Sequence, residues 1–305
     1  MRWSGPAKAK MGGRLMRVVG SLDPLGQGTE FPIPHLGAFV MVEDARRLPG
    51  PGVPDFGMHP HSGLLACSYI PEGGPWEALS NLSGAERERL EASQVAMLAA
   101  RRGVVHDEHT GSEGEHSIVQ IILRLPSARW ELDSSLRVSS ATIVAQGDDA
   151  GEDAGEDAGA GAGADVAAAA WRLTRIFDAE TLGEPGLDAS MYRVEAGAGA
   201  RVRVPLAAAH DELFVYVREG PVSCAGRRWE TGTVLHFDRD SGCEGALELS
   251  SLSGSTCDVL VGSSAALAEV WVKRLGHDGF VVAADLEAAR AKLEAFARDP
   301  ATFGR

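Results

Sequence analysis

His59-Pro60-His61 and His106-Asp107-Glu108 each place two metal-capable side chains two residues apart. In a β-strand, residues at that spacing point to one face. If the two segments are neighbouring strands, His59, His61, His106 and Glu108 converge on one point. Three imidazoles and one carboxylate suit a borderline divalent transition metal, in a site that keeps positions open for substrate or oxygen. Pro60 adds weight, because proline lacks an amide hydrogen and sits in sheets only at edges or irregular positions. A His-Pro-His strand is therefore a costly choice for packing alone. A slip of one residue would present Asp107 and His109 instead. We read His106 and Glu108 as the inward pair, and Asp107, His109 and His116 as exposed loop or rim residues. His35, His236 and His277 are isolated and read as ordinary surface or core side chains. His210 precedes a strong strand but has no HxH partner. Cys67 shares the alternation of His59, His61, Gly63 and Leu65, so it could line the same interior; we expect a small buried hydrophobe there.

Strands must carry these residues, and both halves of the chain read as mostly β. Runs rich in β-branched residues recur at Gly37–Val42, Leu64–Ile70, Ser117–Leu123, Glu212–Val217 and Cys257–Val261. Pro49-Gly50, Gly73-Gly74 and Glu219-Gly220 punctuate them as turns. Many short strands with frequent turns suggest barrels or sandwiches. Two segments read as helices. Ser83 to Glu91 opens with Ser83 three residues before Glu86, a capping-box pattern. Asp285 to Arg298 has Asp285 as N-cap and Leu286, Ala289, Leu293 and Phe296 on one face.

The stretch from Gly147 to Ala170 is built of Ala, Gly and acid, with Asp148, Asp149, Glu152, Asp153, Glu156, Asp157 and Asp165 and no Lys or Arg. It has too little apolar surface to offset the entropy of ordering it, and reads as a flexible linker or exposed loop. It divides the 305 residues into an N-terminal barrel (1–146) and a C-terminal barrel (171–305). Its seven acids take up half of the net charge of −14 and leave −7 for the rest. The remainder is only mildly acidic, and no basic stripe suggests nucleic acid. No apolar run reaches the roughly 18 residues of a membrane span. The first 17 residues carry five bases and no acid but lack the apolar stretch of a secretory signal. Cys67, Cys224, Cys243 and Cys257 show no zinc spacing. We therefore expect reduced thiols in a cytoplasmic protein.

At the metal-capable residues the chain resembles the pirin family of bicupins. Phe56-Gly-Met-His-Pro-His-Ser-Gly63 resembles the family's HPH strand with its following glycine. Ala100-Arg-Arg-Gly-Val-Val-His-Asp-Glu108 resembles its G-R-G-[IV]-[VI]-H-x-E segment, and Ile121-Ile-Leu-Arg-Leu-Pro126 the end of the strand that follows. The C-terminal half fits more generically, through Phe214-Val-Tyr-Val-Arg-Glu-Gly220, Gly232 and the stretch from Val270 to Arg305. The resemblance implies an all-β fold of two cupin-type barrels with a few short helices, one of them C-terminal. It implies one metal in the N-terminal barrel, most often Fe(II), with Mn, Ni, Cu or Co as alternatives. The implied ligands are His59, His61, His106 and Glu108, with Glu108 also the natural general base. The second barrel is implied to hold no metal. The implied activity is a metal-dependent dioxygenase acting with O2 on a flavonol-like, quercetin-type enol. Other members act as redox-sensing modules that bind a partner protein, and other small-molecule enzymes share the scaffold. The chain departs from the pattern at Ser62, at Leu64-Leu65-Ala66, at Ser93-Gln94, and at Trp76–Glu91, where a helix is expected in place of a hairpin. These positions surround the expected barrel mouth, so they bear on the substrate more than on the metal.

Overall fold

Alternating apolar and polar residues between glycine and proline turns make the described residues mostly strand. The computed structural model describes residues 7–8, 10–12, 15–20, 36–50, 57–84, 86–111, 114–147, 170–238, 245–267, 269, 271–276 and 279–304. The acidic tract beyond Gly147, with His35, Cys243 and His277, lies outside the described residues. The runs read as strands are strands, at Phe39–Pro49, Leu64–Tyr69, Glu115–Arg124, Glu212–Glu219 and Cys257–Ser264. No helix among the described residues is long and apolar enough to cross a membrane.

The chain forms two compact units. The first comprises Ala9–Ala141, Ala179–Leu187 and Ala265–Arg305. Its seven-stranded sheet runs, in spatial order, Ser135–Ser140, Gln94–Ala100, Leu64–Tyr69, Glu115–Arg124, Phe39–Pro49, Leu15–Val19 and Lys10–Gly12. Its six-stranded sheet runs Val272–Gly276, Gly279–Ala283, His59–Ser62, Val104–Thr110, Trp76–Ser80 and Arg87–Leu90. Ala45, Leu48, Ala96 and Ile118 of the former share a buried core with Trp76, Ala78 and Leu90 of the latter. The second unit comprises Met1–Lys8, Thr142–Asp178 and Asp188–Ser264. There a seven-stranded and a four-stranded sheet enclose one core, with Val194, Val215, Val217, Val259 and Val261 against Val202, Val204, Leu247 and Leu249. Both units are thus pairs of sheets with one interior each, as the alternating pattern requires.

Three local expectations change. Residues 265–305, expected at the end of the second barrel, belong to the first unit. The strand Gly279–Ala283 pairs in parallel with the His-Pro-His strand, Phe280 opposite His61 and Val281 opposite Ser62. The expected helix at Ser83–Glu91 is instead half of a hairpin, with Arg87–Leu90 antiparallel to Trp76–Ser80. Only Leu90 of that strand is buried, too little apolar surface to seat a helix. The Ser83 hydroxyl donates to the Ser80 carbonyl at 3.3 Å, closing the hairpin turn instead of capping a helix. Third, Gly63 at φ +73° breaks the alternation between the His-Pro-His strand and Leu64–Tyr69. A β-carbon there would sit 2.3 Å from the Val282 carbonyl oxygen, so only glycine fits.

The helix Leu286–Arg298 forms as read. Asp285 accepts a hydrogen bond from the Ala288 amide at 2.8 Å, and Ala289, Leu293 and Phe296 are buried while Leu286 is exposed. Ala289 and Leu293 pack on Val281 and Ala283, and Phe296 packs on Val105. The helix therefore braces both strands that flank the His-Pro-His strand.

Candidate metal centre

The strands Val104–Thr110 and His59–Ser62 are antiparallel neighbours, with His106 directly opposite His59 and Val104 opposite His61. That register puts all three imidazoles on one face, buried to 7%, 4% and 4% exposure for His59, His61 and His106. Ring centroids lie 4.9 Å apart for His59–His61 and His61–His106, and 4.4 Å for His59–His106. One nitrogen from each ring lies within 4.8 Å of the others, and the group could hold a metal ion.

The hydrogen bonds fit that use. His59 Nδ1 lies 2.8 Å from the Gly57 carbonyl oxygen, and His61 Nδ1 lies 3.1 Å from that of Phe280. A neutral imidazole that donates from Nδ1 carries its lone pair on Nε2, the arrangement by which outer partners orient metal-ligating histidines. His106 Nε2 is buried with no hydrogen-bond partner, a costly state for a polar atom that a metal would relieve. Burial, with the neighbouring His59, pushes His61 down to about 3. Burial, then His59 and His61, holds His106 well below the usual imidazole range. Both rings are therefore neutral at ordinary pH, the form that binds metal.

Glu108 lies two residues beyond His106 on the same face and is 6% exposed. Its carboxylate stands outside the three-histidine group of mutually close ligand atoms. Oε1 accepts from the Ser68 hydroxyl at 2.5 Å, and Oε2 accepts from the Gln120 side-chain amide. Burial pushes the Glu108 carboxyl up; Ser68, Gln120 and His59 pull the other way. Neither Ser68 nor Gln120 was foreseen. The signal was present in Gln120, one amide within the apolar run Ile118–Leu123. Cys67 does not share the site's face, because the break at Gly63 turns Ser68 inward in its place. Cys67 is fully buried, and burial pushes its thiol far up, so it is inert packing.

The other titratable residues stand apart. Asp107 and His109 occupy the alternate face, where His109 lies 3.5 Å from Glu77 and 2.9 Å from Arg87. His116, expected at the rim, is wholly buried, its ring edge-on to Trp76 with centroids 6.5 Å apart. In the second unit His236 bonds Glu212 at 2.8 Å, and His210 bridges Asp188 and Ser263 at 2.8 and 2.7 Å. Both are satisfied by these contacts.

No protein-family model matches the chain, and no curated protein matches it in sequence. Solved structures do match it in fold. A quercetin 2,3-dioxygenase from Acinetobacter baumannii aligns with a TM-score of 0.71 at 17% identity, covering 100% of this chain and 99% of that one. The bacterial pirin YhhW from Escherichia coli, in complex with nickel(II), aligns with a TM-score of 0.58 at 17% identity, covering 86% of this chain and 96% of that one. The protein GK1651 from Geobacillus kaustophilus aligns with a TM-score of 0.61 at 18% identity, over 88% and 97% of the two chains. At these identities the likeness is one of fold, and the fold of this chain is that of the pirin-like bicupins.

Proposed function

We propose that the chain binds one divalent transition metal through His59, His61 and His106 and acts as a dioxygenase on a flavonol-like enol, with Glu108 as the general base. The observation that carries the reading is the set of three buried, converging imidazoles beside a buried carboxylate. Fe(II) suits the reaction with oxygen best; Mn, Ni, Cu and Co accept the same donors. A bound metal of this kind supplies Lewis acidity to an enolic oxygen.

The protein's own part is positional and acid–base. The Gly57 and Phe280 carbonyls orient two of the rings before any metal arrives. Glu108 takes the enol proton and leaves the electron pair on the substrate oxygen. A carboxyl pushed up by burial is a better proton acceptor than a solvated one. The fold neighbour named as a quercetin 2,3-dioxygenase supports the choice of substrate class. The competing reading is a redox-sensing module that binds a protein partner, which a helix lying across the barrel mouth would have favoured. That segment is a hairpin, so the expected helix no longer supports the partner-binding reading.

The first test is metal content by elemental mass spectrometry, on protein purified without a metal-affinity tag. About one iron-type metal per chain is expected, lost in His59→Ala/His61→Ala, in line with the ligand roles. Zinc that survives the double substitution would dismantle the reading. Loaded protein should then consume quercetin with oxygen uptake.

A further inference from the structure

We propose that Arg124 binds a carboxylate, and that the substrate is an enolic aromatic acid whose anionic end rests on this guanidinium while its enol oxygen meets the three histidines. This deepens the reading above and rests on it for the enol. Gln120 reaches Glu108 across the interior of the first unit. Gln120, Ile122 and Arg124 follow at period two on one strand, so they share that inward face. Ile118 shares a buried core with Trp76, and Trp76 pairs with Thr110. The direction from Thr110 to His106 on one sheet therefore matches that from Ile118 to Ile122 on the other. Arg124, two residues further, comes level with Val104, the direct partner of His61.

The Arg124 side chain is 1% exposed, yet its charge has no close counter-ion. Nη2 donates to the Leu267 carbonyl at 2.7 Å and Nη1 to the Glu269 carbonyl at 3.2 Å, and the guanidinium lies 5.0 Å from the Trp271 ring centroid. Nε is buried with no hydrogen-bond partner among the described residues. Glu269 Oε2 stands 3.8 Å away, and Ser127 occupies both oxygens of that carboxylate, through its hydroxyl at 2.8 Å and its amide at 2.9 Å. Burial pulls the guanidinium pKa down, and Glu269 offsets this only in part. A buried charge is costly unless it is paired and hydrogen-bonded. A carboxylate on the Nε edge supplies both at once, in the side-by-side geometry that suits a guanidinium. A neutral hydroxyl would fill the hydrogen bond and leave the charge unmet. Phe280 lies between this site and the histidines, its ring centroid 5.1 Å from that of His61 and 5.5 Å from Lys273 Nζ. It offers a ring surface to an aromatic body, and Lys273 adds a second positive charge. The strand Val272–Gly276, which follows Trp271, is two places from His59–Ser62 in the sheet, about 10 Å at the usual strand spacing and a distance that an aromatic acid of two or three rings can span.

The test is calorimetric titration of metal-loaded protein with two probes, flavonol itself and flavonol bearing a carboxylate para on its pendant ring. The parent should bind the acid at least about 10-fold more tightly, the worth of a hydrogen bond to a charged group. In Arg124→Met, which keeps the bulk and removes the charge, that ratio should fall to about 1; in Arg124→Lys it should recover in part, because a point charge lacks the fork. A ratio taken on one preparation does not depend on how much of it is folded. Lys273→Met, on a half-buried edge strand, gives a second reading, with the ratio reduced by about 3-fold. Benzoate titrated into metal-free protein reads the carboxylate site without the metal. Its binding should disappear in Arg124→Met and persist in His59→Ala/His61→Ala. The proposal is overturned if the parent binds the two flavonols alike, if Arg124→Met keeps the preference for the acid, or if benzoate binds Arg124→Met as it binds the parent. If neither flavonol binds while benzoate still binds through Arg124, the enol reading fails and the carboxylate site stands.

Discussion

Glu108 shows how much chemistry one buried side chain takes from its neighbours. Burial raises its proton affinity, and two donors hold it still. Glu108→Gln keeps the shape and removes the proton acceptor. Flavonol turnover should then fall by about 10²- to 10⁴-fold. Metal content should stay at the parent level, because the three imidazoles are untouched. Turnover and metal content are measured on the same preparation; a variant that turns over at the parent rate rejects Glu108 as base. The spacing of the three histidines and this carboxylate was legible in the sequence because each i, i+2 pair lies within one unbroken strand. Ser68 and the true facing of Cys67 were not legible. Alternation read straight through Gly63 puts Cys67 inward, and the positive φ at that glycine turns its neighbour inward instead. Gln120 could have been noticed, as a polar residue in an apolar strand has to answer to something.

Strands and helices were read well where the pattern is local, and poorly where distant pairing decides. The C-terminal helix follows from its N-cap and one apolar face, and it forms as read. The hairpin Trp76–Leu90 overrides a helix signal, because cross-strand pairing with Trp76–Ser80 supplies what an exposed Arg-Glu-Arg run cannot supply alone. The pairing of Gly279–Ala283 with the His-Pro-His strand spans more than 200 residues of sequence, and nothing local announces it. That strand matters for function, since its Phe280 carbonyl orients His61. Gly279 permits the approach, for a β-carbon there would lie 2.1 Å from the Pro60 carbonyl oxygen. Gly279→Ala should therefore push the two strands apart. Overpacking against backbone costs about 1–3 kcal/mol, readable in urea unfolding. Cobalt(II) affinity should fall with it, as His61 loses its orienting carbonyl. A variant that loses stability but binds cobalt like the parent would separate the strand from the site.

Across the whole chain, the same architecture persists in a solved structure at 17% identity. What the two sequences must share is therefore pattern, meaning strand periodicity, turns and a few glycines, more than particular side chains. Each of the two units has its own core, and the three-histidine group belongs to only one of them. Metal should then stabilise the chain unevenly. A ligand that binds only the folded site adds RT ln(1 + [L]/Kd), about 4 kcal/mol at a thousandfold excess over Kd. That energy appears in every opening that breaks the site and in none that leaves it intact. Native-state hydrogen exchange read by mass spectrometry follows this along the sequence. On loading, amides of His59–Ser62, Val104–Thr110 and Gly279–Ala283 should gain protection, while those of Arg201–Pro205 and Ala246–Ser251 in the other unit should not. The gain should vanish in His59→Ala/His61→Ala. Protection that rises equally in the double variant would mean that the metal binds elsewhere. Protection that rises equally in both units would mean that they open together, and that the energy of one site is spread over the whole chain.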